Sequence, residues 1–164
     1  MEAATAPYLA GGLLLVAAGV AKAVEPLSLV RALRAAGLRV RAPLLARFVR
    51  VFAALEALLG LAAVVHPSRP LAVLVALSYA GFTAFVLRAL RSGSPLASCG
   101  CFGKTDTPPT PGHAAVTAAL AIAALLVGRD VALDVPVAVV SGVLAYVTYL
   151  ALAVLPLVSR RALR

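Results

Sequence analysis

Only two of the 164 residues are cysteines, and they stand one residue apart, Cys99 and Cys101 in "SCGCFG". A disulfide between such near neighbours closes a very small ring. Relaxed geometry wants Cα atoms roughly 4.4–6.8 Å apart and a dihedral near 90°, which so short a loop meets only with strain. Strained disulfides have raised reduction potentials and belong to the labile, exchanging kind. Gly100 eases the bend because it can take backbone angles closed to other residues. Lys104 can help hold a thiolate. The spacing therefore suits a thiol–disulfide exchange centre and makes a poor structural staple. A buried inert pair fits badly with the polar surroundings "SPLASCGCFGKTDTPPTPG". A closed zinc site needs four ligands, and the segment offers two sulfurs plus at best Asp106 and His113. Soft ions such as Cu(I) accept fewer, so a soft-metal binding or transport role stays open. A non-catalytic scaffold subunit stays open too.

Two charged residues stand out inside the apolar runs. Glu56, in "FAALEALLGLAAVV", sits about midway along one. An ionised carboxylate there is costly unless paired, neutralised or reached by water, which makes it either a packing partner or a proton acceptor or clamp. Lys22 lies near the end of the first run, where a long side chain can snorkel to the interface. Reckoned from the helix ends, the two are roughly 14 Å apart along the axes at about 1.5 Å per residue, so they are not expected to meet. Tyr79 and Thr83 are expected to hydrogen-bond between helices. Ala76, Ala80 and Ala84, and Gly12 with Gly19, supply small residues for close packing. Tyr146, Thr148 and Tyr149 could do the same as Tyr79 or line a quinone pocket; no pattern favours the quinone, and no cofactor is assigned. His66 and His113 stand at span ends and read as interfacial rather than as ligands.

These residues need elements to hold them. The chain is 63% apolar and 13% charged, with a mean hydropathy of +1.04, too greasy for a soluble domain of this length. Several runs approach the roughly 20 residues that cross a bilayer core of about 30 Å. Unpaired backbone groups are costly in lipid, so the spans should be helices; the runs lack the alternation of barrel strands. The expected fold is all-α: a polytopic membrane bundle of four to five transmembrane helices with a short interfacial amphipathic helix. One integral membrane domain, 1–164, is expected, with spans at about 3–24, 43–65, 70–90, 113–128 and 136–158 and the CxC loop at 91–112. The fourth is short. Pro43, Pro70, Pro111 and Pro136 stand at span starts, where a missing N–H costs little. Between the first two spans, Pro26 suits a helix start and Gly37 a stop. Leu29, Val30 and Leu33 can face one way and Arg31 and Arg34 another, as in a helix lying at the interface. It reads as a connector more readily than as a lid over a cavity between the spans.

The net charge of +9 collects at the ends of the runs. It reads as a topology signal with attraction to lipid headgroups, not as a nucleic-acid surface. With the N-terminus outside, thirteen Lys and Arg face the cytoplasm and only Arg69 and Arg129 the exterior, a strong bias for N-out and C-in. The first run lacks a basic leader and a small-residue cleavage site, so no removed signal peptide is expected.

"SCGCFG" after the third span, "AGVAKAVEPLSLVRAL" closing the first and "FVRVFAALEALLGLAAV" in the second together resemble the methylamine-utilisation protein MauE family, related to the small DoxX-like membrane proteins. The resemblance runs from about Gly11 to Leu126, and the "CGCFG" loop is its most specific part. It implies a helical bundle in the bacterial cytoplasmic membrane. It further implies a role in maturing or exporting the disulfide-rich small subunit of methylamine dehydrogenase, beside a thioredoxin-like partner. Cys99 and Cys101 carry over as the redox pair, and Glu56 and Lys22 as family-marked positions. Where the family pattern has Arg or Asn opening the next span this chain has His113, so no role carries over there. The charge count sets the CxC loop on the cytoplasmic side, whereas maturing an exported subunit uses exterior thiols. No charge occurs between Arg91 and Lys104, so the loop could dip back into the bundle under protein or water cover.

Overall fold

The computed structural model describes residues 4–35, 37–91, 110–127 and 134–154. Cys99, Gly100, Cys101 and Lys104 lie outside the described residues, as do Asp106, Arg129 and the last ten positions. Among the described residues six α-helices follow one another: α1 Thr5–Val24, α2 Leu27–Ala35, α3 Ala42–Val65, α4 Arg69–Arg91, α5 Pro111–Leu126 and α6 Val135–Tyr149. A turn of π-helix, Leu150–Val154, continues α6. No strand occurs among the described residues, and the all-α bundle expected from hydropathy is what forms.

Local chemistry fixes most of the helix ends. Pro43, Pro70, Pro111 and Pro136 each fall in the first turn of a helix, as expected. The side chains of Thr110 and Asp134 cap α5 and α6, accepting from the backbone N–H of His113 and Val137. Past the end of α2, Gly37 adopts φ +99°. Its N–H donates to the Arg34 carbonyl at 3.0 Å and that of Leu38 to Leu33 at 3.1 Å, the paired bonds of a Schellman stop. The left-handed angle is why a glycine stands there.

α1 is the central helix. It packs along α3 and also touches α6, α5 and α4, while α4 pairs with α5. Tyr8, Leu9, Leu14 and Leu15 of α1 meet Ala72, Val75 and Ala76 of α4 and Leu120, Ala121 and Ala124 of α5 in one apolar cluster. Glycines set the closest approach. A Cβ on Gly19 would stand 2.6 Å from the Ala53 carbonyl oxygen, and one on Gly60 would stand 2.5 Å from that of Gly12. The two backbones therefore nearly touch, which only side-chain-free positions permit. The expectation for Gly12 and Gly19 holds. That for Ala76, Ala80 and Ala84 holds only at Ala76, since the other two face outward. Each four-residue step drifts about 40° around a helix, which carries Ala84 off the face that Ala76 packs.

Among the described residues, four helices are long and apolar enough to cross a membrane: α1, α3, α4 and the stretch Val135–Leu152. α5, with 16 residues, spans about 24 Å and is short of the bilayer core. The outward faces are apolar, with Phe48, Phe52, Leu55, Leu58 and Leu61 on α3 and Val139, Val140 and Val143 on α6 more than half exposed. A surface of that kind needs lipid.

The α1 C-terminus, α2, the start of α3, the end of α4 and the start of α5 share one end of the bundle. Ala32 of α2 packs on Ala89 and Phe85 of α4, and Val30 packs on Leu45 and Val49 of α3. Arg31, Arg34, Arg39, Arg41, Arg47, Arg50, Arg88 and Arg91 gather there, all exposed. Arg69 stands at the opposite end, where its guanidinium donates to the carbonyls of Leu125 at 2.6 Å and Val127 at 3.2 Å. It thereby satisfies the open C-terminus of α5.

Candidate functional site

The bundle contains one ion pair among its described residues. Lys22 Nζ lies 2.5 Å from Glu56 Oε2, with side chains only 10% and 14% exposed. This corrects two expectations: the pair was not expected to meet, and Lys22 was expected to snorkel to the interface. The register of α1 on α3 explains both. Gly19 lies against Ala53 and Ala57, and Gly12 against Gly60 and Val64. Extending that antiparallel register sets Lys22 only four to five residues from the level of Glu56, about 7 Å along the axis. Side chains lean toward the N-terminus of their own helix. Lys22 therefore leans toward mid-bundle and Glu56 toward the arginine end, and the two converge. Reckoning from helix ends failed because α3 begins with extra residues that pack on α2.

Beyond the ion pair, Glu56 Oε2 has no hydrogen-bond partner among the described residues. Two cavities flank it. The inner one, about 50 Å³, is lined by Lys22 and Glu56 together with Ser78, Tyr79, His113 and Thr117, besides apolar residues of α1, α4 and α5. It has room for about one or two waters. The outer one is a groove of about 370 Å³ between α3 and α4, with α2 above it. Leu29 and Leu33 of α2 contribute to its lining, so α2 is a partial lid as well as a connector.

The polar groups around the inner cavity are mostly satisfied within the bundle. Tyr79 donates its hydroxyl to the Gly11 carbonyl at 2.7 Å. Thr83 and Thr117 meet across α4 and α5 at 2.8 Å. Both interhelical expectations, for Tyr79 and Thr83, hold. His113 is a correction, since it is 2% exposed rather than interfacial. Its Nε2 lies 3.1 Å from the Leu152 carbonyl, which can only accept. Nδ1 lies 2.7 Å from the Thr110 hydroxyl. The Nε2–H tautomer satisfies both contacts and ties the start of α5 to the end of α6. Tyr146 is 63% exposed on the lipid-facing side. No group of three or more potential metal-ligating side chains occurs among the described residues.

Sequence reasoning singled out Lys22, Glu56, Tyr79 and Thr83 but not Ser78, Thr117 or the tie between His113 and Leu152. Thr117, four residues past His113, lies on the same helical face and was a readable signal. Leu152 contributes only its backbone carbonyl, which no residue type announces.

A bundle with four membrane-length helices among its described residues, an exterior of exposed valine, leucine and phenylalanine, and a largely buried ion pair at mid-depth is a multi-pass membrane protein. The methylamine utilisation protein MauE family model matches residues 2–130, and the chain belongs to that family. The match takes in α1 to α5 and the "CGCFG" segment and stops short of α6. Membership places the chain among membrane proteins associated with methylamine utilisation. No curated protein and no solved structure matches the chain.

Proposed function

We propose that the chain is a membrane thiol–disulfide component that assists the maturation of disulfide-containing exported proteins, with Cys99 and Cys101 as the exchanging pair. The observation that carries the reading is the family match across the one segment holding both cysteines. The flanking elements support it. α4 ends at Arg91 and α5 opens at the Thr110 cap, and the two helices pack antiparallel through Thr83 and Thr117. The segment is therefore tethered at both ends to one firm helix pair. Exchange conserves electrons: as the Cys99–Cys101 bond opens, two client thiols close into a disulfide and their two protons pass to the pair. The partners in this reading are a thioredoxin-like protein or an exported dehydrogenase subunit. The site is the bacterial cytoplasmic membrane, with the arginine-rich end cytoplasmic.

The test is replacement of each cysteine. Cys99→Ser and Cys101→Ser should abolish oxidation of the client, read as its free-thiol content, while membrane insertion is unchanged. Full client oxidation in the double variant would overturn the reading. Labelling the two thiols with impermeant reagents from each face identifies the side. Reaction from the cytoplasmic face alone in every redox state would contradict service to an exported client.

A further inference from the structure

The groove between α3 and α4 is not explained by thiol chemistry. Phe52 and Leu55 on α3 and Leu77 on α4, each about 60% exposed, stand at its mouth, on the outward apolar face of the bundle. Its floor is the opposite in character: Lys22, Glu56 and Ser78 all line it. A charged pair reachable from hydrocarbon is costly unless something polar covers it. Glu56 Oε2 is buried and, beyond the Lys22 ammonium, has no hydrogen-bond partner among the described residues, and that ammonium carries three N–H donors, more than one carboxylate uses. Ser78 spends its proton on the Leu74 carbonyl at 3.0 Å and so offers the groove an acceptor.

We infer that this groove is a binding site for a lipid-soluble quinone or its quinol, head group against Lys22 and Glu56 and tail between α3 and α4. Three properties of the site select that chemistry. The floor offers a cation and an anion within 2.5 Å of each other. A phosphate head would be repelled by Glu56 and an ammonium head by Lys22, whereas a quinone carbonyl can accept a lysine N–H that the carboxylate leaves free, and a quinol hydroxyl can in addition donate to Glu56. The walls include Phe52, Phe82 and Phe85, three of the five phenylalanines in the chain, and favour a flat ring by stacking. The volume, about 370 Å³, lies in the range of small-molecule pockets.

Binding stands apart from the cysteine reading. Only the coupling rests on that reading: the dithiol of Cys99 and Cys101 closes to a disulfide, releasing two electrons and two protons, and a quinone that takes both becomes the quinol.

The experiment uses the full chain in phospholipid nanodiscs with tritiated decylubiquinone as the probe. Saturable binding at one site per chain is expected, and it should persist in the Cys99→Ser, Cys101→Ser double variant. Gly81→Leu fills the groove from a position where an added Cβ meets nothing within 4 Å, so folding is spared. It should weaken binding at least tenfold, and Ser78→Leu should do likewise. Absence of saturable binding, binding unchanged in both groove variants, or equal competition by dioleoylglycerol would each overturn the proposal. Full client oxidation in the cysteine double variant, with binding intact, would instead strike only the thiol reading.

Discussion

At the scale of residues, the Lys22–Glu56 pair decides most about the interior. Two charges withdrawn from water are tolerated only together, and removing one partner leaves the other uncompensated at a cost of about 3–5 kcal/mol. Lys22→Met should therefore lower the thermal midpoint of the solubilised protein sharply. The double variant Lys22→Met, Glu56→Gln should recover most of the loss. A double variant as unstable as the single one, measured by the same melting experiment, would show that the two side chains do not act as a pair. The neighbouring polar residues are a different case. His113 and Tyr79 have their partners in the Leu152 and Gly11 carbonyls, and their work is to lock helices together.

At the scale of elements, α1 and α3 are held by the absence of side chains. Gly19 leaves no room for a methyl group between itself and the Ala53 and Ala57 backbone. Gly19→Ala should cost about 1–3 kcal/mol by forcing the helices apart. It should also stretch the ion pair that the same register creates. Gly81→Ala, on the open face of α4, is the control and should be neutral or stabilising by up to about 1 kcal/mol, since alanine is the better helix former. Melting curves of the two variants side by side check this, and equal effects would contradict the packing account.

Legibility from sequence divides along the same line. The helical character of the apolar runs, the first-turn prolines and the stop at Gly37 were readable because each is decided by local sequence. The depth of Glu56 relative to Lys22 was not, because it is decided by which glycine of α1 faces which backbone of α3. The burial of His113 was hidden for a related reason: its partner lies 39 residues away, in the π-turn that continues α6. Of the candidate site, the charged residues were visible as misfits in apolar runs, but the groove that exposes them exists only where α3 and α4 diverge under α2.

At the scale of the molecule, the described residues sort charge to the ends of the bundle and keep one ion pair within. The eight described arginines at one end and Arg69 at the other match the bias that sets membrane orientation. The same end carries both tethers of the cysteine segment, so a partner that exchanges thiols with Cys99 and Cys101 would meet an arginine-rich rim. The most direct test of that chemistry is an equilibrium titration of the cysteine pair in native membranes. Graded dithiol buffers set the potential, and a maleimide mass tag counts free thiols. The account predicts a two-electron transition between about −270 and −120 mV, the range of catalytic disulfides. A midpoint below about −300 mV, as in structural cross-links, or thiols that stay reduced at every potential, would contradict it.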